Sequence, residues 1–269
     1  MLRRLLTRRW LTWLLIAVVW AVACVFLGRW QWHRYEDKSL SQHQVSDNYN
    51  AAPVAVTSIL HDKDTQLSPN DKWRQVKLVG HYEPAKKLLV RNRPNDGYFG
   101  YELVIPFDQQ SGPTVLVDRG WLENGRTANE PKTVPPTPGG PVTVVGWLQP
   151  GEQAKNNKPV PGQVASINLD TIAELTNDDL LTGGYVLMRS EKPAAPATTK
   201  GLAALPKPDP GTYAGINFSY ALQWWAAAIG GILLMLYRCW KEEQEAVHGP
   251  KPPKPKKPKK VRIWDEEDE

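Results

Sequence analysis

The chain has 269 residues, with 33 Lys and Arg against 28 Asp and Glu and only two cysteines. Its net charge of +5 is confined to the ends, because residues 29–217 hold 20 basic and 20 acidic side chains. A neutral middle excludes a nucleic-acid partner, which needs a concentrated basic face. Two cysteines, Cys24 and Cys239, each within or at the edge of an apolar end segment, exclude a disulfide framework for the middle.

In chain order, residues 1–9 carry Arg3, Arg4, Arg8 and Arg9 and lead into an uncharged run over 10–27. As a helix this run extends about 27 Å, close to the hydrocarbon thickness of a bilayer. It is long for the apolar core of a cleaved signal, and AVAC lacks the Leu of a good lipoprotein site, so a retained anchor is expected. The segment GRWQWHRYEDKSLSQHQ that follows reads as a polar continuation of the helix.

The period then changes. WRQVKLVGHY alternates, LLVRN is a short apolar run, YELVIPF and TVLVDRGWL flank a DQQSGP turn, and PVTVVGWL and GYVLMRS follow. These runs predict a mainly β (α+β) domain over 28–217, a small antiparallel barrel or sandwich. One helix is expected at TIAELTNDDL, with Thr171 as N-cap and Glu174 completing a capping box. Residues 123–141 and 150–163 read as loops, and 191–212 as a Pro-rich linker. A second uncharged run occupies 218–237, and the tail 238–269 is Lys- and Pro-rich with an acidic end, expected to be disordered.

Basic residues flank both apolar runs on the side away from the domain. They predict two transmembrane helices, both termini cytoplasmic, and an extracytoplasmic domain at the cell membrane. The lipid bilayer is thus one expected partner.

Catalytic patterns are missing. His33, His43, His61 and His81 are scattered with no metal-ligand spacing, and neither a G-x-S-x-G elbow nor an S-x-x-K pair occurs, so the chain does not read as an enzyme. The adjacent Asp178 and Asp179 read as a solvated helix end. Polar and aromatic residues do gather where the helices meet the domain: Gly28, Trp30, Gln31, His33, Arg34 and Lys38 on one side, Asn217, Tyr220, Gln223 and Trp224 on the other. Such a cluster suits either an interfacial anchor or a cradle for a planar amphiphile with acidic groups. Trp121, just after a strand, is a candidate for filling the barrel core.

Residues Gly28–Lys38, GRWQWHRYEDK, match G-x-W-Q-x-x-R-x-x-x-K, and further matches follow in order at DGYFGYELVIPF, at VLVDRGWL with Arg119, Gly120 and Trp121, at VVGWLQPGE and at SYALQWW. From about residue 14 to 240 the chain resembles the Surfeit locus protein 1 family, assembly factors of haem-copper cytochrome c oxidase. The resemblance implies a non-enzymatic assembly factor whose partner is the oxidase catalytic subunit, assisting haem a insertion or stabilising that subunit. It implies haem a as the possible cofactor, with Arg29, Arg34 and Arg119 as partners for propionates or acidic loops. The chain departs from it at Asn217, where many members carry a His proposed as a haem ligand; Tyr220 follows three residues later, and His33 is the imidazole nearest in sequence terms. A structural accessory subunit of a respiratory complex without a haem role is the alternative.

Overall fold

The computed structural model describes residues 6–127, 129–155, 160–194, 202–209, 211 and 213–249. In chain order its elements are α1 (Arg8–His43), β1 (Val54–Ala55), β2 (Gln75–Tyr82), β3 (Leu88–Asn95), β4 (Tyr98–Gln109), β5 (Val115–Glu123), β6 (Val142–Gln149), β7 (Gln163–Val164), α2 (Leu169–Thr176), β8 (Tyr185–Lys192) and α3 (Gly215–His248). They divide into two compact units. One combines the chain up to Tyr35 with the chain from Gly215, and the other is Glu36–Ala214.

The helical unit is an antiparallel pair. Arg9 reaches Glu242, the Trp20 indole donates to the Ala227 carbonyl, and Gln31 meets Asn217, so α1 ascends as α3 descends. Trp10, Ala17, Met235 and Cys239 pack between them. Only 17% of the apolar window of each helix is buried, and Leu15, Val19, Phe26, Ile229 and Leu233 point outward. A core helix of a soluble protein would hide these side chains, whereas hydrocarbon accepts them. Both helices are long and apolar enough to cross a membrane.

The strand unit closes on itself. β2 pairs with β6, β6 with β8, β8 with β5, β5 with β4, and β4 returns to β2 through Gly80–Tyr82 against Phe107–Gln109. Taken in sequence order, the third and fifth strands of this five-stranded ring run parallel while the other neighbours are antiparallel, which is the Greek-key arrangement of OB barrels. β1 extends β2, and β3 with β7 extends β4. Alternation decides the inside: Val76, Leu78 and Tyr82 on β2 and Tyr101, Leu103, Ile105 and Phe107 on β4 fill the barrel. Val104 and Leu116 face the other way and form a second core with Val90, Ile167, Leu169 and Ile172 beneath α2.

Local chemistry fixes the details. β3 and β4 are joined by Asp96–Gly97, both at positive φ, a tight two-residue hairpin turn of the kind Asp-Gly favours. On β5 the residues Arg119 and Gly120 together oppose only Leu103, because Glu102 pairs with Trp121 and Val104 with Asp118. This bulge, with Gly120 at φ +130, reverses the alternation so that Leu122 enters the barrel. Trp121 therefore does not fill the core as expected; it packs at the barrel edge, with its Nε1 donating to the Arg93 carbonyl and its backbone bridged to Ala203.

Two further expectations are corrected. α2 begins three residues earlier than a Thr171 cap would place it: Asn168 is the N-cap and accepts from the Thr171 amide, and Asn177 in the left-handed region ends the helix. Asp178 is not a solvated helix end, since its carboxylate is largely buried and paired with Lys86, while Asp179 is exposed.

Candidate functional site

Three polar clusters stand out, one in the helical unit and two in the strand unit. In the helical unit, Gly28 lies on the inner face of α1 because any side chain there would collide with the Trp225 indole. One turn and two turns further, Trp32 and Tyr35 share that face. Trp32 packs against Phe218 and Trp225 with ring centroids 5.9 and 5.8 Å apart, and Tyr35 lies 5.4 Å from Phe218. Within this aromatic collar the Asn217 Nδ2 donates to Gln31 Oε1 at 2.6 Å, and Asn217 is buried. An amide pair suits a water-poor helix interface, where each amide needs a partner.

The other residues singled out at this end lie elsewhere. His33 is exposed on a face of α1 turned away from Gln31, and Arg34, almost one turn beyond Gln31, is exposed too, with its guanidinium 5.4 Å from the exposed Trp30 ring. Tyr220 and Gln223 are exposed and Trp224 is half-buried. Lys38 belongs to the strand unit. The structure thus brings Gly28, Gln31 and Asn217 together and leaves His33, Tyr220 and Gln223 outside. Trp32 fits an interfacial aromatic belt by residue type, whereas Tyr35 and Phe218 are not singled out by the sequence, although the spacing Gly28, Trp32, Tyr35 is a helical face that indicates Tyr35.

For a haem iron, this locus offers no imidazole. Asn217 is a weak iron ligand and its amide is committed to Gln31, while His33 projects from a different face. The side chains present do not fit a haem iron.

In the strand unit, Arg119 is fully buried and pairs with Glu191, Nη2 to Oε1 at 2.7 Å. Its guanidinium lies 5.3 Å from the Tyr82 ring, and the Tyr82 hydroxyl donates to Glu191 Oε2 at 2.9 Å. Burial, reinforced by the Glu191 charge, raises the Tyr82 pKa, so the phenol remains a donor. The carboxylate expected from a partner for Arg119 is therefore supplied by Glu191 of β8.

A second cluster lies on the outer face of β4 and β5. Arg93 Nε is 2.7 Å from Glu102, and its Nη2 donates to both oxygens of Glu152 at 2.8 Å. Glu152 also accepts from the Ile167 amide at 2.9 Å, joining the loop after β6 to the start of α2. Asp118 is fully buried beside them and accepts from the Gly120 amide, which fixes the bulge. Three carboxylates share one guanidinium here, so burial pushes Glu102 up to about 7, opposed by Arg93 and aided by Glu152. Burial and the Glu102 charge raise Asp118 as well. Both clusters close on themselves and hold strands in register.

Comparison with known proteins decides the family. The SURF1 family profile matches residues 18–229, well over half of the chain and spanning both units. The chain belongs to the SURF1 family. SURF1-like proteins of Mycobacterium bovis and Mycobacterium tuberculosis are 30% identical over 226 residues, covering 82% of this chain and 79% of theirs. A SURF1-like protein of Dictyostelium discoideum is 27% identical over 119 residues, 43% of this chain and 42% of that one.

Proposed function

We propose that this SURF1-family chain is a non-catalytic assembly factor that holds the maturing catalytic subunit of a haem-copper cytochrome c oxidase at the outer membrane boundary. The observation that carries the reading is the matched pair of membrane-length helices locked at their domain-proximal ends by Gln31, Asn217 and the aromatic collar, in a chain whose family match reaches into both helices and spans the barrel. The basic flanks of both helices support an extracytoplasmic barrel with both termini inside.

The site chemistry favours stabilising the subunit over liganding haem, because Asn217 is spent on Gln31. A structural accessory subunit without a haem role shares that observation and is the second reading. Membranes of a strain lacking the chain separate them. Reduced spectra should lose the haem a band of the oxidase, restored by the intact gene; a normal haem content in a complex that dissociates more readily would support the accessory subunit. An oxidase normal in both respects would overturn both.

A further inference from the structure

At the opposite end of the helix pair from Asn217, side chains of both helices line a slot of about 480 Å³. Its walls include Trp13, Ile16 and Trp20 of α1 and Leu234 of α3, and its rim carries Arg9, Arg238 and Glu242. Trp10, Ala17 and Met235 also line it, and with Cys239 they form the buried cluster of the helix pair. Trp20 closes its far end: the indole rests on Gly231, where even a methyl carbon would stand 2.8 Å from Cδ1, and its Nε1 donates to the Ala227 carbonyl.

Length and charge identify what fills it. Eleven residues separate Arg9 from Trp20, about 16 Å of helix, which is half the thickness of a bilayer's hydrocarbon. Arg9 immediately precedes the first uncharged run and Arg238 immediately follows the second, so the rim lies at headgroup level and the slot reaches the midplane. The volume is that of a ligand cleft, and its lining is hydrocarbon and indole. At the rim, Arg9 is paired with Glu242 at 3.1 Å, whereas Arg238 has no ion pair among the described residues, which leaves one uncompensated positive charge. A guanidinium at headgroup depth binds a phosphate diester through paired hydrogen bonds.

We propose that this slot is a specific site for one anionic glycerophospholipid, with an acyl chain lying between Trp13 and Leu234 as far as Trp20 and the phosphate on Arg238 and Arg9. The site rests on both helices crossing a membrane, which is part of the function proposed above. It is independent of the oxidase role and of the direction in which the helices cross. The bound lipid extends the packing that Trp10, Ala17, Met235 and Cys239 begin at this end of the helix pair.

The test is native mass spectrometry of the full chain purified in detergent and titrated with phosphatidylglycerol or phosphatidylcholine. One phosphatidylglycerol should be retained about tenfold more tightly than phosphatidylcholine, and Arg9→Gln with Arg238→Gln should erase that preference. The equally charged change Arg29→Gln with Arg34→Gln, at the other end of the helices, should leave it intact. Leu234→Trp, which fills the slot, should displace both lipids while the variant still elutes as a single folded species. Equal retention of the two lipids, equal loss in the Arg29 and Arg34 control, or a lipid-free dimer occupying the face would each overturn the site. Alkaline carbonate extraction separates this from the two-span reading: chain released into the supernatant sinks that reading, whereas chain retained in the membrane without lipid preference sinks only the lipid site.

Discussion

Arg119 shows how a charge reads differently in sequence and in the folded barrel. In VLVDRGWL it stands in a strand between Asp118 and a glycine, yet Asp118 is engaged by the Gly120 amide and the partner of Arg119 is Glu191, 72 residues away. Once the ring closes, β8 places Glu191 against it with Tyr82 beneath, and both charges are out of water. Removing one member leaves the other buried and uncompensated, so Arg119→Ala should cost about 3–5 kcal/mol in denaturant unfolding of the strand unit. Arg119→Met combined with Glu191→Gln should cost clearly less; equal losses in the single and double variants would show that packing, not charge, governs the position. Glu102 gives a pH prediction of definite sign. Its folded pKa of about 7 lies above the unfolded value near 4.5, so its contribution is fully present below about 4.5 and lost as pH rises through about 7. Stability should therefore fall by roughly 1–3 kcal/mol between pH 4.5 and 8, and Glu102→Gln should flatten that slope. A slope unchanged in the variant would assign the titration to Asp118 instead.

At the scale of elements, α3 carries two strips of small residues, and the sequence gives no reason to prefer either. The structure separates them. Gly231 and Ala227 meet Trp20 of α1, whereas a side chain added at Gly230 would meet nothing within 4 Å. Gly231→Leu should lower the melting temperature of the detergent-solubilised chain by several degrees, and Gly230→Leu should leave it unchanged. The reverse result would place α1 on the other face. Alternation located β2, and short apolar runs between turn residues located β4, β5, β6 and β8, of which β4 and β5 are buried on both faces, while uncharged runs located both long helices. β1 and β7, two residues each, carry no period to detect. The Asn168 cap was hidden because Thr171 also satisfies the capping pattern, yet it is Asn168 that accepts from the Thr171 amide. At the helix ends, Gly28, Gln31 and Asn217 were legible as residue types. Their assembly was not, since the bond joining them spans 186 residues and His33 follows Gln31 by only two positions while facing elsewhere.

For the whole molecule the decisive quantity is the asymmetry of charge about two apolar helices. The ends of the chain hold 13 Lys and Arg outside the two uncharged runs, whereas the segment between those runs is balanced. Positive residues near a span resist translocation, and here both sets lie on the flank away from the barrel, so each helix independently favours the same orientation. The two preferences reinforce one another only because the number of spans is even; with one span, the basic start and the basic tail would conflict. A reporter active only outside the cytoplasm should therefore be active when fused near residue 110, in the loop between β4 and β5, and silent when fused after residue 245 near the end of α3. Protease added to spheroplasts should degrade the barrel and spare the tail. Arg3, Arg4, Arg8 and Arg9 changed together to Glu should weaken this orientation without inverting all of it, because Arg238, Lys241 and the following lysines still hold the second helix. A reporter active after residue 245 in the unaltered chain would place the barrel inside and remove the oxidase's outer face as its meeting point.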